Sequence, residues 1–339
     1  MTALSAPGPS PSPSPAPSSA AAVRPRLARW VLRLHRPALY TWTALVVLTT
    51  VLLLLLRGPF TDAAAEGWRQ FDACGFHPRC GYDQAAILRY KDWYNYATLA
   101  MSAVPFLTAA WAGGALFGRE LESGTARLAW AQSSSPVRWL TVRLAVPAAV
   151  VTAGSALLVW LHHQAWSAGR GRVDTLKQWY DIWTFHTNGP TLVALALAGL
   201  AAGALTGLLC RRALPALALG LLLTGAIWVA VQRLTPRLWP PVTRLSTLRQ
   251  GYTGAGLDVA SGLVTPTGAH VPDTGCAWYL DQGCGARVDA VGYFHTYHPY
   301  SHYWPLQLTT TALILTVTAL LTAACFLLLR RLTGKAVTR

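Results

Sequence analysis

The chain has 339 residues, of which 53% are hydrophobic and only 12% charged. Soluble domains carry about a quarter charged residues, so this balance excludes a string of two or three of them and points to a membrane protein. The formal charge of +15 does not indicate a nucleic-acid surface, because the Lys and Arg sit at the ends of apolar runs rather than on one face.

Residues 1–23 alternate Pro with Ser and Ala, a composition that buries too little apolar area to order itself, and read as a disordered cytoplasmic tail. In residues 24–38, Leu27, Trp30, Val31 and Leu34 recur at helical spacing, with Arg26, Arg29, Arg33 and Arg36 opposite them. That pattern predicts an amphipathic elbow helix lying in the bilayer interface; a basic flank is the plainer alternative. The first apolar run begins near residue 40, too late for a secretory leader, although Ala63 and Ala65 imitate a cleavage site.

Crossing about 30 Å of hydrocarbon takes about 20 helical residues. Six runs approach or meet that length: Tyr40–Leu56, Tyr94–Gly118, Leu140–Leu161, Pro190–Cys210, Ala213–Val231 and Leu306–Leu329. The expected fold is therefore an all-α polytopic membrane protein. Spans one to five occupy 39–233 with a polar loop at 119–139, an outer domain fills 234–305, the sixth span covers 306–329 and a tail covers 330–339. With the N-terminus inside, the inner segments hold fifteen Lys and Arg and only Glu120 and Glu122 as acids, while the outer segments are close to neutral. This asymmetry places both termini in the cytoplasm.

Cys74 and Cys80 then fall in the first outer loop, which reads as a small stapled cap, and Cys276 and Cys284 fall in the last. Two close pairs on the oxidising side suggest the disulfides Cys74–Cys80 and Cys276–Cys284; a zinc site competes, at spacings wider than usual. In span two, Pro105, Gly113, Gly114 and Gly118 serve packing rather than a gate. Gly199, Gly203 and Gly207 make a small-residue ridge for close helix contact in span four. Trp179, Tyr180, Trp183 and Phe185 suggest an aromatic belt at the outer interface. The last outer loop, with its alternating GLDVASGLV, reads as β-rich or loop-rich. At its exit His295, His298 and His302 could share a helical face and bind a metal, but Pro299 and the interleaved rings favour a belt, and no metal site is assigned.

No span carries Asp, Glu or Lys at its centre, which argues against ion-coupled transport and against a carboxylate-based intramembrane enzyme. There is no Walker A loop either: GGALFGRE, from Gly113, lacks the required Lys and Ser or Thr. Energy for work against a gradient would have to come from another chain. The polar island Arg119–Trp139 is the place to receive it. Glu120 and Glu122 precede Gly124, which can break the helix, and Thr125 can cap a short helix Ala126–Gln132 with Leu128 and Trp130 as apolar anchors. Ser134, Ser135 and Pro136 mark the start of span three. A docking peg and a plain solvated loop both fit these residues.

The runs GRELESGTARLAWAQSSSPVRWLTVRL, GLAAGALTGLLCRRALPAL and YHPYSHYWPLQL resemble the permease subunits of type-2 ATP-binding-cassette exporters, in the form seen in actinobacteria. Glu122, Gly124, Thr125, Arg127, Leu128, Trp130, Gln132, Arg138 and Trp139 carry most of the likeness, which spans about residues 24–333. It departs at SSSPVRW, where the family more often has a further basic residue. The resemblance implies an elbow helix, six spans, a coupling helix after span two, and a homodimer of permeases in the cell membrane docked on two copies of an ATPase that binds the ATP and magnesium. The permease itself would hold no cofactor. Glu122 would place the coupling helix, Arg127 and Trp130 would touch the ATPase, and Glu120 and Arg138 would complete the site. The cargo would be apolar or amphipathic. A membrane enzyme using the outer histidines and a non-transporting sensor or scaffold remain as alternatives.

Overall fold

The computed structural model describes residues 33, 35–75, 80–132, 135–272 and 289–337. Six helices among them are long and apolar enough to cross a membrane, in the order the sequence predicts. Helix α1 (Arg36–Arg57) turns at Gly58 into α2 (Pro59–Ala73). Helix α3 (Gln84–Trp111) passes through a π-helical segment, Ala112–Gly118, into the short α4 (Arg119–Glu122). There follow α5 (Thr125–Gln132), α6 (Pro136–Gly169), α7 (Ile182–Thr187), α8 (Thr191–Cys210) and α9 (Ala213–Leu234). Helix α10 (Tyr303–Val337) closes the described chain.

Helix α8 is the centre of the bundle. It packs on α3, α6, α9 and α10, and 78% of its apolar stretch is buried, against 17% for the stretches in α1 and α10. Its composition explains the position. A methyl group on Gly199 or Gly203 would run into the carbonyl of Pro105 or Ala109, and one on Gly207 into the Phe117 side chain. The predicted small-residue ridge thus brings the α8 backbone against α3, as lipid-embedded helices do when little apolar driving force exists between them.

The stretch from Arg57 to Trp93, expected to be a loop-like cap, is mostly helical. Helix α2 buries Thr61, Ala64 and Ala65 while exposing Asp62 and Glu66, and α3 starts ten residues before the predicted span. These extensions hold because rings beyond the apolar run continue the packing: Tyr90, Tyr94, Trp166, Trp179 and Tyr303 join one buried cluster. The Cys74–Cys80 disulfide staples the α2–α3 turn as expected, with Cα atoms 5.5 Å apart. Cys276 and Cys284, the tail 1–23 and most of the elbow segment 24–38 lie outside the described residues.

The long loop before α10 forms a four-stranded antiparallel sheet in the order β1-β4-β2-β3, from β1 (Val242–Thr247), β2 (Leu257–Val264), β3 (His270–Pro272) and β4 (Gly292–His298). Val242 pairs with Tyr297 and Leu263 with Tyr293, and β2 carries an irregularity between Asp258 and Ala260. The three histidines do not share a helical face. His295 and His298 lie in β4, and an odd separation along a strand sends side chains to opposite faces. His295 Nε2 is 2.7 Å from Asp258 Oδ1, whereas His298 Nε2 donates to the Pro236 carbonyl at 2.9 Å. The Nδ1 atoms of His298 and His302 are 3.2 Å apart. In the next turn Tyr300 stacks with Trp166 and the buried Tyr303 stacks with His163.

Candidate coupling site

The polar island is rooted in the wide π turn at the end of α3. Such turns are rare, and close neighbours must make room for them. Here the room comes from glycine: a Cβ on Gly113 would lie 2.7 Å from the Ala216 carbonyl oxygen, and one on Gly118 would lie 2.9 Å from Ala213 Cα. The root of the loop is therefore pressed against the α8–α9 turn.

Glu122 completes that joint. Its Oε2 accepts from the Ala213 N–H at 2.9 Å, the first residue of α9, whose own Arg212 makes no side-chain cap. A carboxylate on an otherwise uncapped helix start both satisfies a donor and meets the positive end of the dipole. Glu120 makes a second joint on the other side. It is buried, and its carboxylate pairs with the Arg143 guanidinium in the second turn of α6. Arg143 is 1% exposed; it also donates to the Leu116 carbonyl at 3.4 Å and lies 5.0 Å over the Trp139 ring. His35, just before α1, places Nε2 3.9 Å from the same Glu120 oxygen and sets its ring edge-on to Trp111. Burial, reinforced by the Arg143 charge, lowers the His35 pKa to about 4. Glu120 thus ties α4 to α6 and stands beside the start of α1.

Gly124 breaks the chain direction as predicted, at φ +74°, a conformation cheap only for glycine. Its carbonyl accepts from the N–H groups of Arg127 and Leu128, at 3.0 and 3.3 Å, and so opens α5. Thr125 does not cap α5. Gly124 already occupies the cap position, and the Thr125 hydroxyl instead donates back to the Glu120 carbonyl at 3.2 Å and meets Ser123 Oγ at 3.0 Å. It seals the end of α4.

Trp130 turns inward rather than outward. Its ring stands edge-on to Trp139 at 5.5 Å, and Trp139 is buried against Phe117 at 5.7 Å. The face that α5 leaves open holds Arg127 and Leu128, the latter 62% exposed. The Arg138 N–H donates to Ser135 Oγ at 3.3 Å, the expected cap of α6.

Sequence reasoning missed the partners, His35 and Arg143. A signal was present for Arg143: an Arg inside a span needs a carboxylate, and Glu120 and Glu122 are the two acids in the segments that the charge pattern places inside. Among the described residues no group of three His, Cys, Asp or Glu is gathered to hold a metal. The arrangement is mechanical: a short helix with one open face, bracketed onto neighbouring spans by two carboxylates.

Six apolar helices packed around a glycine-rich axis, with such a bracket at one end, fit a multi-pass membrane protein. Residues 43–236 match the family described as ABC-2 membrane transporter related, more than half of the chain, and the protein belongs to that family. The match begins within span one and takes in spans two to five and the whole polar island; the sheet and α10 follow it. No match was found among curated proteins or among solved structures.

Proposed function

We propose that the chain is the permease subunit of an ABC exporter of the actinobacterial form, working as a homodimer in the cytoplasmic membrane with both termini inside. Two copies of a separate ATPase, which bind ATP and magnesium, dock on the Arg119–Trp139 loop. Closure of the ATPase pair pushes that loop and switches the permease between inward-open and outward-open states. An apolar or amphipathic cargo moves outward. The permease needs no cofactor of its own.

The observation that carries this reading is the double bracket at the root of the loop. Glu122 holds α9 and Glu120 holds α6, while Arg127 and Leu128 remain exposed on α5. A push on α5 is therefore delivered to two spans instead of being absorbed by a slack loop. Within the site, Arg127 and Leu128 make the contact, and Trp130 and Arg138 support it from behind.

The test is cargo-stimulated ATP hydrolysis in proteoliposomes holding the permease and its partner ATPase. Leu128→Asp with Arg127→Glu places two acids on the open face and is expected to cut stimulated hydrolysis at least tenfold while insertion and melting stay unchanged. Unaltered stimulation in that variant would remove the docking role.

A further inference from the structure

The charge pattern leaves almost all of the net positive charge on the side of the polar island, in line with the general bias of membrane chains. The other end of α9 departs from it. Arg233, Arg237, Arg244 and Arg249 follow one another from the last turn of α9 through β1, and no Asp or Glu occurs between Asp181 and Asp258.

Helix length fixes the depth of the first two. Helix α9 has 22 residues, about 33 Å at 1.5 Å per residue, against roughly 30 Å of hydrocarbon. Arg212 immediately precedes the helix and Arg233 is its last residue but one, so the two stand at opposite edges of the hydrocarbon. A 3₁₀ turn, Thr235–Arg237, comes next. At about 2 Å per residue it carries Arg237 no more than about 8 Å farther out, within the headgroup layer. The turn is held in place. The Thr235 hydroxyl donates to the Val231 carbonyl at 2.8 Å, the Leu238 N–H to the Thr235 carbonyl at 3.2 Å, and His298 Nε2 to the Pro236 carbonyl at 2.9 Å.

Arg233 and Arg237 are both exposed, and Leu234 and Trp239 beside them are 40% and 38% exposed. Among the described residues no carboxylate pairs with either arginine. The acids that flank this stretch in sequence are engaged elsewhere: Asp181 accepts from the N–H groups of Trp183 and Thr184 at the start of α7, and Asp258 meets His295. Exposed cations interleaved with a leucine and an indole, at headgroup depth, suit a surface that is anionic toward water and apolar beneath.

We infer that this end of α9 is a contact for a phospholipid of net negative charge: Arg233 and Arg237 bind its headgroup phosphate, and Leu234 and Trp239 lie against the start of its acyl chains. The contact belongs to the leaflet opposite the polar island. It stands whether or not the transport reading does.

The experiment places p-benzoylphenylalanine, a photoreactive aromatic, at position 239 of the full-length protein in liposomes of equal dioleoyl phosphatidylglycerol and dioleoyl phosphatidylcholine. Mass spectrometry then reads the lipid joined by light. At about fivefold for each arginine near a charged surface, phosphatidylglycerol adducts should exceed phosphatidylcholine adducts by about twenty-five-fold, and high salt should shrink that ratio. Arg233→Gln with Arg237→Gln should bring the ratio close to one while lipid adducts persist, whereas Arg233→Lys with Arg237→Lys should keep most of it. If the Gln pair fails to insert, Arg237→Gln alone, outside the helix, should lower the ratio by about fivefold. Equal adducts in the protein with both arginines, a preference that survives the Gln substitutions, or a crosslink to a second copy of the chain in place of lipid would overturn the assignment.

Discussion

Replacing Glu120 with Gln removes the carboxylate facing an Arg143 guanidinium that is 1% exposed. Breaking a buried pair by deleting one partner costs about 3–5 kcal/mol, because the remaining charge keeps its desolvation penalty. The Leu116 carbonyl at 3.4 Å and the Trp139 ring at 5.0 Å recover part of this, and an amide oxygen at position 120 recovers more, so about 3 kcal/mol is expected. At about 2.1 cal/mol/K of unfolding entropy per residue, that lowers the melting temperature of a chain this long by about 4 °C. The assay is thermal unfolding of the full chain in detergent, run as a double-mutant cycle with Arg143→Met. Removing both charges leaves neither group stranded, so the double variant should be more stable than the sum of the single losses predicts, by at least about 2 kcal/mol. Additive losses would refute the pairing as the source of the loop's rigidity.

Gly203→Leu puts a side chain where the Ala109 carbonyl and Ala112 already lie; overpacking of this kind costs about 1–3 kcal/mol or more, and the variant is expected to express poorly or melt well below the parent in the same scan. Cys74→Ser opens a short covalent loop worth about 2 kcal/mol, seen as a melting temperature a few degrees lower and insensitive to reductant, whereas the parent's falls on reduction. The His35 pKa, held down to about 4 from 6.5 by burial and Arg143, makes the unfolded chain the better proton acceptor between those values. Its contribution to stability is therefore complete above about pH 6.5 and is lost as the pH falls toward 4. His35→Phe should flatten that part of a melting-temperature profile, and an unchanged slope would show that other groups set it.

Features that depend on period or spacing were legible in the sequence. The six spans follow from apolar run length, the Cys74–Cys80 pair from its separation, and the Gly199, Gly203 and Gly207 ridge from recurrence every four residues. The site was legible at Gly124, where only glycine tolerates the backbone, and at the Ser135–Pro136 helix start. It was not legible where a side chain chooses between two directions. Trp130 reads equally well as an exposed anchor or an inward ring, and the Trp139 ring that settles the matter sits nine residues further on. Thr125 reads as a cap until the backbone shows Gly124 in that position. His162 was similarly silent: its bonds to Thr98 and Asn188, each 3.0 Å, join α3, α6 and the end of α7, and no local pattern announces them.

The glycine-lined contact of α8 also constrains how the chain can vary over generations. At Gly199 and Gly203 any enlargement meets the α3 backbone, and at Gly207 it meets the Phe117 side chain, so change at these positions is confined to the smallest residues. On the outer spans, Leu48, Leu222 and Leu320 are 71%, 69% and 66% exposed, and any apolar residue serves a surface that has only lipid or another subunit to match. Sequence drift is thereby steered outward, and relatives of this protein should keep a nearly fixed axis inside freely varying outer spans.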